Sequence, residues 1–304
     1  MRDKKTIVIT GPTASGKSAL AISLAKILDT EIISADSRQI YQGIPVATAV
    51  PSMEERAGVA HHLMECLPLD SYYSASRFVE DAESLSGKIL RTRQHVIICG
   101  GSMMYVDAFC YGIDELPTVP QELRNSLMKE WQEKGDEWLI NRLKDLDPAY
   151  YQKVDLNNLK RVFHAVEISL TASRPYSSLL SGNVRAREDV IKICLDGNRD
   201  FLFSAINKRV EKMVQSGLVE EAKRVYDMRH LNSLNTVGIK EMFAYIEGKF
   251  TLEEGVARIQ KNTRVYAKKQ ITWHKRDKNA VRLDFASPHH VNVDKILNIL
   301  SCKD

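Results

Sequence analysis

Four short apolar runs stand out along the chain: Thr6–Thr10, Glu31–Ala35, His95–Cys99 and Val190–Leu195. Each is continuous rather than alternating. That is the pattern of a strand covered on both faces, as in a parallel sheet flanked by helices. A helix over about Lys17–Leu28 follows the first run, and the strand–helix alternation continues to about Gly112. Then Asp114–Pro120, with prolines at Pro117 and Pro120, interrupts regular structure. From Gln121 to about Ser173 the pattern turns helical: Leu123, Leu127 and Trp131, then Trp138–Leu146, then Leu159–Leu170, punctuated by Pro148 and Pro175. After the returning strand, Arg199–Gln215, Leu218–Met228, Ile239–Glu247 and Leu252–Lys275 read as helices. The pattern therefore predicts a core split into residues 1–113 and 188–304, with an all-helical insertion at 114–187. Such an excursion suggests a lid or arm over a ligand crevice. No internal repeat or low-complexity tract is visible.

Composition narrows this picture modestly. The chain has 304 residues, 44% hydrophobic and 27% charged, enough for one large α/β domain with an insertion. A net charge of +4 is compatible with an anionic partner without identifying one. No apolar run reaches the roughly 18 residues of a membrane span, and the first strand begins too early for a signal peptide. A cytoplasmic protein is expected, and a monomer. Cys66, Cys99, Cys110, Cys194 and Cys302 show no C-x-x-C pairing, so reduced thiols are the simplest reading.

The chemistry begins at the end of the first strand. Residues 11–18 read Gly-Pro-Thr-Ala-Ser-Gly-Lys-Ser, the G-x-x-x-x-G-K-[ST] phosphate loop in its setting of strand, loop and helix. Backbone N–H groups of such a loop cradle a polyphosphate. Lys17 adds charge at the outer phosphate and Ser18 a hydroxyl for Mg²⁺. The expected fold class is α/β: a P-loop NTPase-like parallel sheet flanked by helices, with the helical insertion. The motif specifies polyphosphate and does not specify ATP.

Asp36 follows the second strand. Residues at that end of an open α/β sheet face the ligand crevice. Asp36 would hold Mg²⁺ through water, act as a base, or only cap the next turn. The third strand ends in Gly100, Gly101 and Ser102. A P-loop hydrolase carries an acid there to order Mg²⁺ and attacking water. Its absence argues against a nucleotide-driven motor or switch. Ser102 would cap the next helix or touch substrate.

Between Arg258 and Lys278 there are eight Lys/Arg against one Asp, with Tyr266, Trp273 and His274 interleaved. This is a solvated basic face or, with Lys160, Arg161, Arg185 and Arg187, a nucleic-acid footprint. Tyr266 and Trp273 fit core packing better than base stacking. His61 and His62 are adjacent, cannot share one strand face, and have no further ligand at metal spacing. A hydrogen-bonding role in a loop is expected for them.

Taken together, Gly11–Ser18, Ser34–Tyr41, His61-His62-Leu63, Tyr73-Ser-Ala75, Gly100-Gly-Ser102 and Lys261–Trp273 closely resemble the tRNA dimethylallyltransferase family, also called tRNA isopentenyltransferase. The resemblance covers nearly the whole chain. It implies transfer of a dimethylallyl group from dimethylallyl diphosphate to N6 of adenosine 37, beside the tRNA anticodon. It implies that the loop holds a prenyl diphosphate with Mg²⁺, that Asp36 is the general base, and that Ser102 assists it. Gly11, Thr13, Ala14, Ser15, Gly16, Lys17, Ser18 and Arg209 would hold the diphosphate. Ser37, Arg38, Gln39 and Ile40 would surround the flipped base. Arg124, Lys160 and Arg161 would touch the anticodon stem-loop. The chain departs from the family pattern at Ser102 (usually Thr), Ile239 (usually Tyr), and Lys160 and His164 (usually Gln and Arg). The zinc-finger tail of eukaryotic members is absent, which resembles the bacterial type. Three rival readings remain: a small-molecule kinase, a prenyltransferase acting on free AMP or ADP, and a non-catalytic RNA-binding protein.

Overall fold

The structure, a computed structural model, describes residues 4–180 and 186–301. Arg185 and Cys302 lie outside the described residues. The chain forms two compact units. One comprises Met1–Tyr111 with Ala186–Asp304, the other Gly112–Arg185. The first contains a six-stranded sheet ordered β3-β2-β4-β1-β5-β6. Its strands are β1 (Lys5–Thr10), β2 (Ile32–Ser34), β3 (His61–His62), β4 (His95–Cys99), β5 (Val190–Asp196) and β6 (Val281–Asp284), all paired in parallel.

Alternation along the strands divides the interior. Ile7, Ile9, Ile97, Ile191 and Ile193 face one side and pack against Leu20, Leu24, Leu202, Ile206 and Ile271. Val8, Ile33, Val96 and Ile98 face the other and pack against Phe78, Val106 and Phe109. Successive strand residues point to opposite faces, so a two-sided core needs continuous apolar runs. Fully burying each such side chain contributes about 1.5–3 kcal/mol. A third apolar cluster gathers Ile40, Ile44, Val210, Met213, Ile239 and Ile259 beside the sheet.

The expected strands and the helices Lys17–Leu28 and Arg199–Gln215 appear with ends shifted by at most one residue. Three local readings change. His61 and His62 form a short edge strand, not a loop. Their side chains point opposite ways: His61 Nδ1 lies 2.9 Å from the Val59 carbonyl, and His62 Nε2 lies 2.6 Å from Glu31 Oε2. The helix beginning at Leu218 ends at Arg224, and a short 3₁₀ turn covers Tyr226–Met228. β6 and the helix His289–Ser301 complete the sheet edge, where the sequence pattern had suggested nothing.

The insertion unit pairs the helical stretch Gln121–Leu146, broken at Gly135, with Leu159–Ala172 around Leu139, Leu143, Val162 and Val166. Pro148 opens a short helical turn that Asp147 caps through the Tyr150 N–H at 2.9 Å.

Register brings the functional loops to one height. Ile9 and Ser34 both stand opposite Cys99, so Gly11, Ala35 and Gly100 leave the sheet together. Gly100 presses so closely on Ala35 that an added Cβ would lie 2.1 Å from its carbonyl oxygen. That contact is backbone on backbone and has no side chain to yield. Gly100→Ala is therefore expected to lower stability by about 1–3 kcal/mol or more, as overpacking does, and to displace Asp36. Chemical denaturation checks the first effect; unchanged stability would contradict this packing.

Candidate active site

The phosphate loop adopts the backbone expected of an anion nest. Ala14 at φ 63° and Gly16 at φ 81° flank Ser15, which has no positive φ, an alternation that suits N–H groups turned inward. The helix Lys17–Leu28 begins with no capping side chain and no acid in its first turn. By contrast, Met53–Arg56 and Leu252–His274 carry complete capping boxes. An uncapped start leaves orphan N–H groups and the positive end of the helix dipole facing a ligand.

A cavity of about 350 Å³ opens on this loop. Thr13, Lys17, Ser18, Arg209 and Gln270 line one part of it, and Asp36, Ser37, Arg38, Gln39 and Ser102 another. Ala47, Val210, Met213 and Ile259 add an apolar wall. Of the remaining loop residues, Gly11 and Ser15 are buried behind the cavity, and Ala14 and Gly16 shape the turn.

Lys17 Nζ donates to the Pro12 carbonyl at 2.7 Å. Burial, with Arg209 nearby, lowers its ammonium to about 8. Burial also lowers the Arg209 guanidinium, and Asp36 opposes the shift. Two cations held this way are poised to accept a multiply charged anion.

Asp36 fulfils the capping reading and still faces the cavity. Its Oδ1 accepts the N–H groups of Arg38 at 2.9 Å and Gln39 at 3.3 Å. Oδ2 has no hydrogen-bond partner among the described residues, so one oxygen anchors the carboxylate and the other stays open to chemistry. Ser102 Oγ accepts the Ser37 N–H at 2.7 Å, clamping the Asp36 turn to the end of β4. Its own proton remains available to the cavity.

The rest of that segment is tied to its surroundings. The Arg38 guanidinium donates to the carbonyls of Asn232 at 2.8 Å and Ser233 at 3.2 Å. Gln39 Nε2 donates to the carbonyls of Thr48 and Ala49, each at 3.1 Å, and its Oε1 accepts from Ser34 Oγ at 3.1 Å. Ile40 is buried in the third apolar cluster and does not line the cavity. These hydrogen bonds hold the wall of the cavity, which Arg38 and Gln39 line.

Sequence reasoning missed two residues. Tyr266, read as core, is 39% exposed and lines the cavity. Gln270 joins the phosphate loop to the glycine turn after β4. The helical spacing Ile259, Thr263, Tyr266, Gln270 was the available signal, because it puts all four on one face. His274, farther along, is buried behind the loop, with Nε2 3.5 Å from Thr10 Oγ1. Burial, then Lys192 and Lys17, hold it down at about 4, so it stays neutral.

In the insertion, Arg124 is tied to the buried Glu167 at 2.8 Å, which His164 also approaches at 3.0 Å. Lys160 and Arg161 are exposed and form no ion pair among the described residues.

A family profile described as IPP transferase matches residues 39–277. The chain belongs to the IPP transferase family. It is 46% identical over 276 residues to tRNA dimethylallyltransferase 2 of Azobacteroides pseudotrichonymphae, covering 90% of each chain. It is 47% identical over 272 residues to tRNA dimethylallyltransferase 2 of Parabacteroides distasonis, covering 89% and 91%. Among solved structures, the tRNA isopentenylpyrophosphate transferase of Staphylococcus epidermidis matches at TM-score 0.71 and 30% identity over 98% of this chain and 99% of that one. A eukaryotic dimethylallyltransferase acting on tRNA matches at TM-score 0.81 and 26% identity, over 93% and 74%. The fold is thus that of a prenyl-transferring IPP transferase. No helix among the described residues is long and apolar enough to cross a membrane.

The Lys17 shift predicts a pH dependence. Below pH 8 the free protein already carries the charged ammonium. Above about 8, binding an anion must take up a proton, so affinity falls by up to about tenfold per pH unit. Titration calorimetry with dimethylallyl diphosphate between about pH 7 and 10 measures this; a flat profile would contradict the assignment of Lys17 to the anion.

Proposed function

We propose that this IPP transferase moves a dimethylallyl group from dimethylallyl diphosphate to N6 of adenosine 37 in the tRNA anticodon loop. The observation that carries the reading is one cavity shared by a phosphate loop and an open carboxylate, with no acid after β4. A P-loop hydrolase or motor needs that acid to order its attacking water.

The phosphate loop, Lys17 and Arg209 bind the diphosphate and spread its growing charge as the C1–oxygen bond breaks. The N6 lone pair forms the new bond to C1, and diphosphate leaves with the electrons of the broken bond. Asp36 Oδ2 takes the amino proton. Ser102 keeps the Asp36 turn in place. The apolar wall of Ala47, Val210, Met213 and Ile259 suits the hydrocarbon and excludes water from a carbon that gains cationic character.

Mg²⁺ fits the donors present. Magnesium takes one or two protein oxygens and completes its shell with water and phosphate oxygens. Ser18 supplies a hydroxyl at the cavity, and no three-residue metal cluster exists among the described residues. The ion would neutralise diphosphate charge.

The acceptor is a macromolecule on this reading. Arg258, Lys261, Lys268, Lys269, Lys275, Arg276 and Lys278 are exposed, and none forms an ion pair among the described residues. Arg264 is instead held by Asn207 at 2.6 Å. Cations without ion pairs along this helix and the turn that follows it suit an RNA backbone. The adenine must leave its stack to reach Asp36, at a cost of a few kcal/mol.

Asp36→Asn keeps the turn, because an amide oxygen still caps it. It is expected to leave tRNA binding intact and cut the single-turnover rate by about 10²–10⁴-fold. A rate within a few-fold of wild type, with saturating tRNA and prenyl diphosphate, would remove Asp36 as the base. Replacing Lys268, Lys269 and Lys275 by Gln should reduce the slope of log affinity against log salt by roughly one unit per lost phosphate contact. An unchanged slope would return this face to simple solvation.

A further inference from the structure

Gln270 is 1% exposed, yet its amide touches the phosphate loop. Oε1 accepts the Thr13 N–H at 2.8 Å, and Nε2 donates to the Gly101 carbonyl at 2.8 Å. The amide spans the gap between the first half of the loop and the end of β4. A Cβ on Gly101 would meet Nε2 at 2.8 Å and Lys17 Cε at 3.8 Å, so the amide lies alongside the Lys17 stem.

Loop donors divide accordingly. Thr13 N–H is given to Gln270, and Ser15 N–H to the Pro12 carbonyl at 3.3 Å. The N–H groups of Ala14, Gly16, Lys17 and Ser18 have no partner among the described residues and remain for a ligand. In phosphate loops these groups wrap the inner two phosphates, while the lysine reaches outward. A third phosphate would continue past Lys17 toward Thr13 and the glycine turn, the space that the Gln270 amide fills. The carbonyl oxygen there also repels phosphate oxygens.

We infer that Gln270 sets the length of the phosphate chain at two, admitting a diphosphate and rejecting nucleoside triphosphates. The inference rests on the diphosphate reading of the loop given above.

The plug is held rigidly. One turn onward, Trp273 Nε1 donates to Asp107 Oδ2 at 2.5 Å. The buried Lys192 binds Asp107 and Asp277, each at 2.8 Å. Moving the helix end that carries Gln270 would break this network, which leaves the buried Lys192 without full compensation and is unfavourable.

Inorganic pyrophosphate and tripolyphosphate, with Mg²⁺, test the idea by calorimetry on the intact protein. Tripolyphosphate carries more charge, so charge alone would favour it. The wild type is expected to bind pyrophosphate at least about tenfold more tightly. Gln270→Ala should gain tripolyphosphate binding and bring the two within about threefold. Gln270→Met keeps the bulk without the hydrogen bonds and should retain the preference, and it carries the comparison if the alanine variant fails to fold. Equal binding by the wild type would overturn the proposal, as would an equal loss of both ligands in Gln270→Ala. If the wild type binds neither chain, the diphosphate reading itself fails and takes the proposal with it.

Discussion

The register of three parallel strands is the constraint on which the site depends. Ile9 of β1 and Ser34 of β2 both face Cys99 of β4. The phosphate loop, the Asp36 turn and the glycine turn therefore emerge side by side. Gly100 makes this possible by letting β4 pass against the Ala35 backbone, where any side chain would collide. Three hydrogen bonds then lock the three loops: Ser37 N–H to Ser102 Oγ, and the two that the Gln270 amide makes. Shifting one strand by a residue would turn every side chain to the other face and separate anion site from base.

Much of this arrangement was legible in the chain. The loop Gly11–Ser18 carries its geometry in its glycines, and the runs at β1, β4 and β5 announce a doubly covered sheet. β6 escaped notice because Val281–Asp284 is short and half charged, as an edge strand often is. His61 and His62 gave no strand signal, since two residues have no period. Their side-chain partners are one local carbonyl and Glu31, the residue just before the neighbouring strand.

The site's supporting bonds were not legible for a different reason. Gln270 reaches Thr13 across 257 positions, and Arg38 reaches Asn232 across 194. No local pattern encodes such pairings. The resemblance to tRNA dimethylallyltransferases pointed to the segment Ser37–Ile40, of which Ser37, Arg38 and Gln39 line the cavity, yet it could not say which way each side chain turns. Arg38 and Gln39 brace the wall, Ile40 enters the core, and Asp36 alone of this stretch presents a free carboxylate oxygen.

The central claim is that one cavity seats a diphosphate on the phosphate loop with its C1 carbon open to Asp36. A co-crystal structure with the unreactive thiolo analogue of dimethylallyl diphosphate tests it most directly. The account predicts diphosphate oxygens on Lys17, Arg209 and the loop N–H groups, C1 facing Asp36, and the branched tail against the apolar wall. An analogue bound elsewhere, or seated with its hydrocarbon on the phosphate loop, would contradict it.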